Sequence, residues 1–545
     1  MEALRAKQIP PLQTLDLLIT ELGQRFAPRT DERLLAVVYT LQHRTYKVPL
    51  PSTAKIPDSL WKELTSVCRA CSGASITPTN PSGKAGPGPW NDWNKYQIEF
   101  AKDLDINGDM APKTLGELSE RLKGWRTMME AMIEDTTPSI LRLEDLSPAL
   151  IDMTLEEVEM PCQSPPSPDG PDPVFIERMG ADVIVVRRAC SSSRRLSIIG
   201  SDGQARTFLI AGQQSGGQGA AEERVGQLLR AANPLLLSHP ESRRRGITFA
   251  APRSQSLFQT GRIIEDDQSS CLYIDAYETY CSRYGRESDA PIQHFKEKVY
   301  SPSADNSSDE MRRQVYNEIV EKMVTENIFS QYMYKTMVEN SKMMWTFKRQ
   351  FALSTALSAL ACFVLRLAGR TPAKLIVSKA TGELTHLELV TAYNDRLQLD
   401  INGETVPFRF TRNMAAFIGP HGLEGALVAA GVSAAQALQQ EHANMPSLLA
   451  LFLRDDVLAF IKKRLQVRSI GSIGTVSPSQ VENAVMHNVG QCLSRLERMG
   501  PRNSVTAPTE GDLPKNPQKN MRDLLVMANS PQNLCKMDPL WQPWL

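Results

Sequence analysis

The feature that most limits how this chain can fold is an uncharged apolar run, F-A-L-S-T-A-L-S-A-L-A-C-F-V-L from Phe351 to Leu365, which leads without a break into R-L-A-G-R-T-P-A-K. The run falls short of the about 20 residues that a membrane-spanning helix needs. It therefore reads as a helix buried in a core, with the following loop delivered at the end of that core.

Breakers divide the rest of the chain. Residues 1–150 carry helical periods and few strand signals: Leu12, Leu15, Leu18 and Ile19 in one segment, Leu34, Leu35, Val38 and Leu41 in the next. The clearest helix begins at Thr114, with Glu117 completing a capping box and Leu115, Leu118, Leu122, Trp125 and Met129 on one face. A Pro/Gly-rich stretch, Ser75 to Pro89, interrupts these helices, and a second, Pro161 to Pro173, ends them. The texture then turns to β, with short apolar strands at 183–186, 196–199 and 208–210. From about Pro291 it is helical again, with Tyr316, Ile319, Met323 and Ile328 spaced to bury one face, and a polar tract from Pro501 to Asn520 tethers the last segment.

Composition bounds the function loosely. Lys plus Arg equals Asp plus Glu at 61 each, so no global charge argues for nucleic acid or membrane binding, and any partner is recognised by local patches. Nine cysteines at irregular spacing suit a reducing compartment. Cys68 and Cys71 form the only close pair and lack the further ligands a zinc site needs, which leaves them as reduced thiols on a helix. The first residues, M-E-A-L-R-A-K, have no apolar core of the secretory kind.

Two stretches carry the site. S-I-I-G-S-D-G-Q-A-R-T-F-L-I-A-G, from Ser197 to Gly212, reads as two strands joined by a Ser-Asp-Gly turn. The second runs from Leu365 to Asn413. Its order resembles the phosphatidylinositol 3-kinase-related kinases, in which an Asp-Arg-His-Pro-x-Asn catalytic loop leads through a strand pair to an Asp-Phe-Gly metal loop. Laid on that pattern, Gly369 stands in the place of the catalytic Asp, Thr371 of the His and Lys374 of the metal-binding Asn, while Arg370 and Pro372 match. Glu388, Leu389 and Val390 stand for the metal loop, and Ala211 falls where active relatives have a phosphate-binding lysine. The acidic run of the family is matched by Glu222-Glu223-Arg224.

Phosphoryl transfer needs metal ions between the phosphates, a lysine on them and a carboxylate to take the hydroxyl proton. Glu388 keeps a carboxylate, but its extra methylene displaces the oxygens on a scale that can cost about 100-fold. Lys374 puts a positive charge where a second magnesium would sit. Losing members of such a unit typically leaves about one part in 10⁴ to 10⁶ of the rate.

The ending A-N-S-P-Q-N-L-C-K-M-D-P-L-W-Q-P-W-L, Ala528 to Leu545, resembles the C-terminal segment of the same family, and specifically its pseudokinase branch. So do Thr30 to Arg44, Gly180 to Arg188 and Ile328 to Thr336. The resemblance implies an α+β fold: a two-lobed PI3/PI4-kinase-like module, preceded by an all-helical FAT/FRB-like region and closed by a FATC segment. The expected divisions are 1–150 for the helical region, 151–173 for a linker, 174–512 for the kinase-like module (N-lobe about 174–275, C-lobe about 276–500) and 513–545 for the FATC segment. It further implies the C-terminal end of a much longer nuclear scaffold, a subunit of SAGA-type and related histone acetyltransferase complexes. Its partners are other subunits of those complexes, and transcription activators received by an upstream solenoid. No catalytic residue, cofactor or metal is expected, nor any direct membrane contact. The alternative is an active or ATP-sensing Ser/Thr kinase using displaced carboxylates such as Glu388, Asp395 or Asp400.

Other features have plainer readings. Gly212 to Gly219 is glycine-rich but lacks the Gly-Lys-Ser/Thr of a phosphate loop, and reads as an insertion. Arg243-Arg244-Arg245, with Arg187, Arg188, Arg194 and Arg195, reads as solvated faces, which leaves DNA contact open. His386 beside Glu388 reads as structural. Trp541, Trp544 and Leu545 either pack internally or form a contact surface, since large aromatics anchor interfaces.

Overall fold

A computed structural model describes residues 10–73, 91–105, 111–153, 158–163, 172–188, 191–212, 218–258, 261–300, 309–336, 341–467, 477–499 and 516–545. The two Pro/Gly-rich breaks, the glycine-rich insertion and the polar tract before the last segment lie wholly or largely outside these residues, as do the side chains of Cys68 and Cys71. The chain forms two units. One comprises Met1–Gln214, Gln255–Asp266 and Lys296–Asn306, the other Ser215–Ser254, Asp267–Phe295 and Ser307–Leu545.

In the first unit the periodic segments become the helices Pro10–Arg25, Thr30–Lys47, Asp58–Gly73, Asn91–Asp103 and Leu115–Thr136. The expected start at Thr114 is present: its hydroxyl accepts from Glu117 N–H, but the Glu117 carboxylate reaches one residue further back than a capping box, to Lys113 N–H at 2.7 Å. Thr114→Ala should lower helix stability by about 1 kcal/mol, read as a shift in the urea midpoint. Leu115, Leu118, Leu122 and Met129 are buried. Trp125 is only half-buried, because its indole N–H needs a polar partner and finds Asp103 Oδ2 at 2.8 Å while its ring meets Phe100 edge-on. In the first helix the core face is Leu18 and Leu22; Leu15 is exposed.

A six-stranded sheet completes this unit, in the order β1-β2-β3-β4-β6-β5. The strands are β1 (Ile140–Arg142), β2 (Ile176–Arg188), β3 (Ser191–Gly200), β4 (Ala205–Gly212), β5 (Ser254–Phe258) and β6 (Gly261–Glu265). Residues Ser201, Asp202 and Gly203 turn β3 into β4, with Gly203 at φ +72°. Val183, Leu196, Ile198, Phe208, Ile210 and Ile263 of the sheet bury one face against Leu18, Leu22 and Phe26.

The second unit is mainly helical around two small antiparallel sheets. One is β7 (Ser270–Leu272), β8 (Leu375–Ser378) and β9 (Leu384–His386); the other is β10 (Ala392–Tyr393) with β11 (Leu399–Asp400). The apolar run forms the inner part of the helix Ser341–Leu365, with Phe351, Ala356, Leu357 and Leu360 buried. Phe329, Phe351 and Phe417 meet there with centroids 4.9 to 5.3 Å apart. Gly382, at φ +82°, closes the β8–β9 turn where a Cβ would lie 2.5 Å from the Phe347 carbonyl oxygen, so only glycine fits. That hairpin carries the candidate site at its open end.

Candidate functional site

The loop after the apolar helix is held both by its own hydrogen bonds and by bonds to later segments. Leu367 N–H returns to Cys362 O at 3.1 Å, Gly369 takes φ +72°, and Pro372–Lys374 forms one tight turn before β8 begins. Gly369 N–H donates to Glu404 Oε1 at 2.6 Å. Glu404 is half-buried, and the desolvation raises its pKa against the opposing pull of that N–H and of Arg370, Arg409 and Lys374.

Arg370 is the centre of this framework. Its side chain is buried and donates to Ala368 O at 3.0 Å, Leu387 O at 3.0 Å and Glu388 O at 2.8 Å. Burial pulls its pKa below the ordinary value, yet a guanidinium keeps its proton in proteins. Arg370 thus fastens the first loop to the second through backbone carbonyls.

Register does the rest. Leu375 of β8 pairs with His386 of β9, and Leu387 N–H continues the ladder to Lys374 O at 2.8 Å. Lys374 and Glu388 therefore emerge side by side, and their charged ends meet, Nζ to Oε2, at 2.8 Å. Both are partly exposed, at 34% and 49%. Glu388 sits at φ +53°, and its N–H is taken by Glu222 Oε1 at 2.6 Å.

His386 makes no dyad with Glu388 among the described contacts. Its Nε2 meets the Ser358 hydroxyl, and burial, helped by the Arg370 charge, pushes its pKa down to about 3. It is a neutral ring at physiological pH. Thr371 caps the Pro372–Lys374 turn with its backbone carbonyl. Ala211 belongs to the first unit, on β4, opposite Ser193 of β3 and Arg262 of β6. Of the other carboxylates, Asp395 is 90% exposed and pairs with Arg464, while Asp400, on β11, accepts from Ile401 N–H.

One cluster had no signal in the sequence. Asp456, buried, accepts from Arg224 Nη2 at 2.7 Å and from the hydroxyls of Tyr393 at 2.8 Å and Thr391. Burial first, then the Asp456 charge, raises the Tyr393 pKa, so that phenol stays protonated. Arg224 belongs to the Glu222-Glu223-Arg224 run, far along the chain from Asp456.

The contact-surface reading of Trp541, Trp544 and Leu545 is corrected by their burial at 3%, 1% and 1%. Trp544 lies 6.3 Å from the Phe295 ring. The carbonyls of Trp541, Gln542 and Leu545 are held by Arg409, and that of Trp544 by Arg412.

A first unit of helices and a six-stranded sheet, and a second with a central apolar helix leading into a loop and hairpin, make an α+β fold. Residues 214–461 match the family of phosphatidylinositol 3- and 4-kinases. The structure titled "FAT and kinase domain of CtTel1" aligns with 99% of the chain and 34% of its own length, at a TM-score of 0.54 and 17% identity. In sequence the chain resembles the C-terminal part of the transformation/transcription domain-associated proteins. It is 28% identical to the human protein of that name over 83% of this chain and 12% of that protein. It is 25% identical to the Saccharomyces cerevisiae SAGA complex/NuA4 acetyltransferase complex subunit TRA1 over 97% of this chain and 14% of that protein. The chain thus spans about an eighth of the length of such relatives.

Proposed function

We propose that this chain is the non-catalytic, kinase-like portion of a scaffold subunit of SAGA-type and related histone acetyltransferase complexes, working in the nucleus in transcription regulation. On this reading 1–150 is the helical FAT/FRB-like region, 174–512 the pseudokinase and 513–545 the FATC segment. Other complex subunits are its direct partners, and activators reach it through chain outside this sequence. The similarity to the human and yeast proteins supports the assembly.

The observation that carries the loss of chemistry is Gly369. In the family pattern a catalytic carboxylate belongs there, and at φ +72° the backbone is committed to a conformation that costs an L-residue about 1–2 kcal/mol. The loop is shaped around glycine, and its N–H is spent on Glu404. Ala211, Thr371, Lys374 and Glu388 are the companion departures on this reading. Gly369→Asp alone is expected to restore no phosphoryl transfer in a radiolabelled kinase assay, because the companion departures remain; magnesium-dependent incorporation by the wild-type chain itself would sink the proposal. Magnesium-ATP is expected to leave the melting temperature unchanged, whereas a true ligand at 100 times its Kd would add about 2.7 kcal/mol. Purification of the tagged protein from nuclear extract should bring acetyltransferase subunits with it, and their absence would return attention to an enzyme.

A further inference from the structure

We infer that Lys374 is a resident cation that takes the place of a divalent metal, so that the Glu388 loop keeps its shape without ion or nucleotide. The inference rests on the kinase-like reading of the site. The fold class uses magnesium between two loops, and the fit can be judged from the side chains that face each other there. Glu388 is the one carboxylate side chain that the second loop brings to this place, and Lys374 Nζ lies 2.8 Å from its Oε2. Among the described residues no group of three His, Cys, Asp or Glu is placed to hold a metal ion. With the Lys374 ammonium against Glu388, the residues do not fit the ion.

Four further hydrogen bonds hold the same loop. Arg370 takes Leu387 O and Glu388 O, Glu222 takes Glu388 N–H, and Lys374 O takes Leu387 N–H. The backbone that carries the carboxylate is thereby held before any ligand arrives, with the Lys374 ammonium as the counterion of Glu388. A dication seeking Glu388 meets that ammonium first. Repulsion between the two at about 4 Å, even at the dielectric of water, weakens binding about 30-fold.

The test uses the whole chain and manganese, whose free ion is counted by electron paramagnetic resonance. Wild type is expected to show no saturable uptake. Lys374→Ala should take up Mn²⁺ at least about 30-fold more tightly than wild type, and Lys374→Ala/Glu388→Gln should lose it again. Lys374→Arg should behave as wild type, since the charge is kept. Both positions are partly exposed, and circular dichroism melts verify that each variant is folded. Uptake by wild type that Glu388→Gln removes would overturn the inference, as would a Lys374→Ala variant that gains none. Either failure would leave the scaffold reading intact if kinase assay and co-purification stand. Kinase activity in wild type would sink that reading whatever manganese does.

Discussion

Replacing Arg409 by methionine is expected to lower the stability of the second unit by about 3 kcal/mol or more, since each buried carbonyl left unpaired costs about 1–3 kcal/mol. Its guanidinium is buried and stacks 4.3 Å from the Trp541 ring centroid. It donates to Trp541 O at 2.7 Å, Leu545 O at 2.9 Å, Gln542 O at 3.0 Å and Arg370 O at 3.3 Å. Burial lowers its pKa to about 10, which still leaves it a cation at neutral pH. Methionine fills similar volume but brings no donor, so those carbonyls stay dry and unpaired. Urea unfolding followed by tryptophan fluorescence measures the loss. Arg409→Lys should recover only part of it, because an ammonium cannot reproduce the fork. The effect should also travel. Arg409 holds the carbonyl of Arg370, whose own guanidinium holds Leu387 and Glu388. Faster hydrogen exchange at the Glu388 amide is therefore expected in Arg409→Met. An unchanged midpoint and unchanged exchange would show that the last residues are held by apolar packing of Trp541 and Trp544 alone.

What could be read in the sequence is what depends on neighbours along the chain. The Ser-Asp-Gly turn, the start at Thr114 and the burial of the apolar run all follow from local pattern, and all three are present. The strand Ile140–Arg142 is three residues long in a helical stretch and makes sense only as the partner of β2. Charge partners were less legible still. That Lys374 faces Glu388 follows from the pairing of Leu375 with His386, and a shift of one residue would send the side chains to opposite faces. Arg224 with Asp456 joins residues far apart in sequence, with no periodicity to announce it. The last tryptophans could be read two ways because their burial depends on Arg409 and Arg412, supplied by a distant segment. Kinase-like order was thus visible as motif, and the internal use of each charged group was visible only in three dimensions.

The pair Glu32–Arg194 should behave like a keystone between helix and sheet, and Arg194→Met is expected to cost about 3–5 kcal/mol by leaving Glu32 buried without its counterion. The two meet at 2.8 Å with both side chains 3% exposed. Ser192 Oγ donates to Glu32 Oε1 at 2.7 Å, and Arg29 N–H to Oε2 at 2.9 Å. Burial raises the Glu32 pKa, but the hydrogen bond and charge of Arg194 outweigh it and hold the group below the usual glutamate range. A carboxylate depressed in the folded state contributes stability above its unfolded pKa and loses it as pH falls through the folded one. Wild type should therefore weaken progressively below about pH 4.3, the ordinary glutamate value, and a Glu32→Gln variant should lack that component of the slope. Asp31 beside it is raised by burial and runs the opposite way, so the difference between the wild-type and Glu32→Gln curves is the quantity to read. The double variant Glu32→Leu/Arg194→Met should recover most of the single-variant loss, since an apolar pair of similar volume avoids desolvating two charges. If it instead falls as far as Arg194→Met alone, the ion pair is not what joins the helix Thr30–Lys47 to β3, and packing around Leu34 and Val38 must carry that junction.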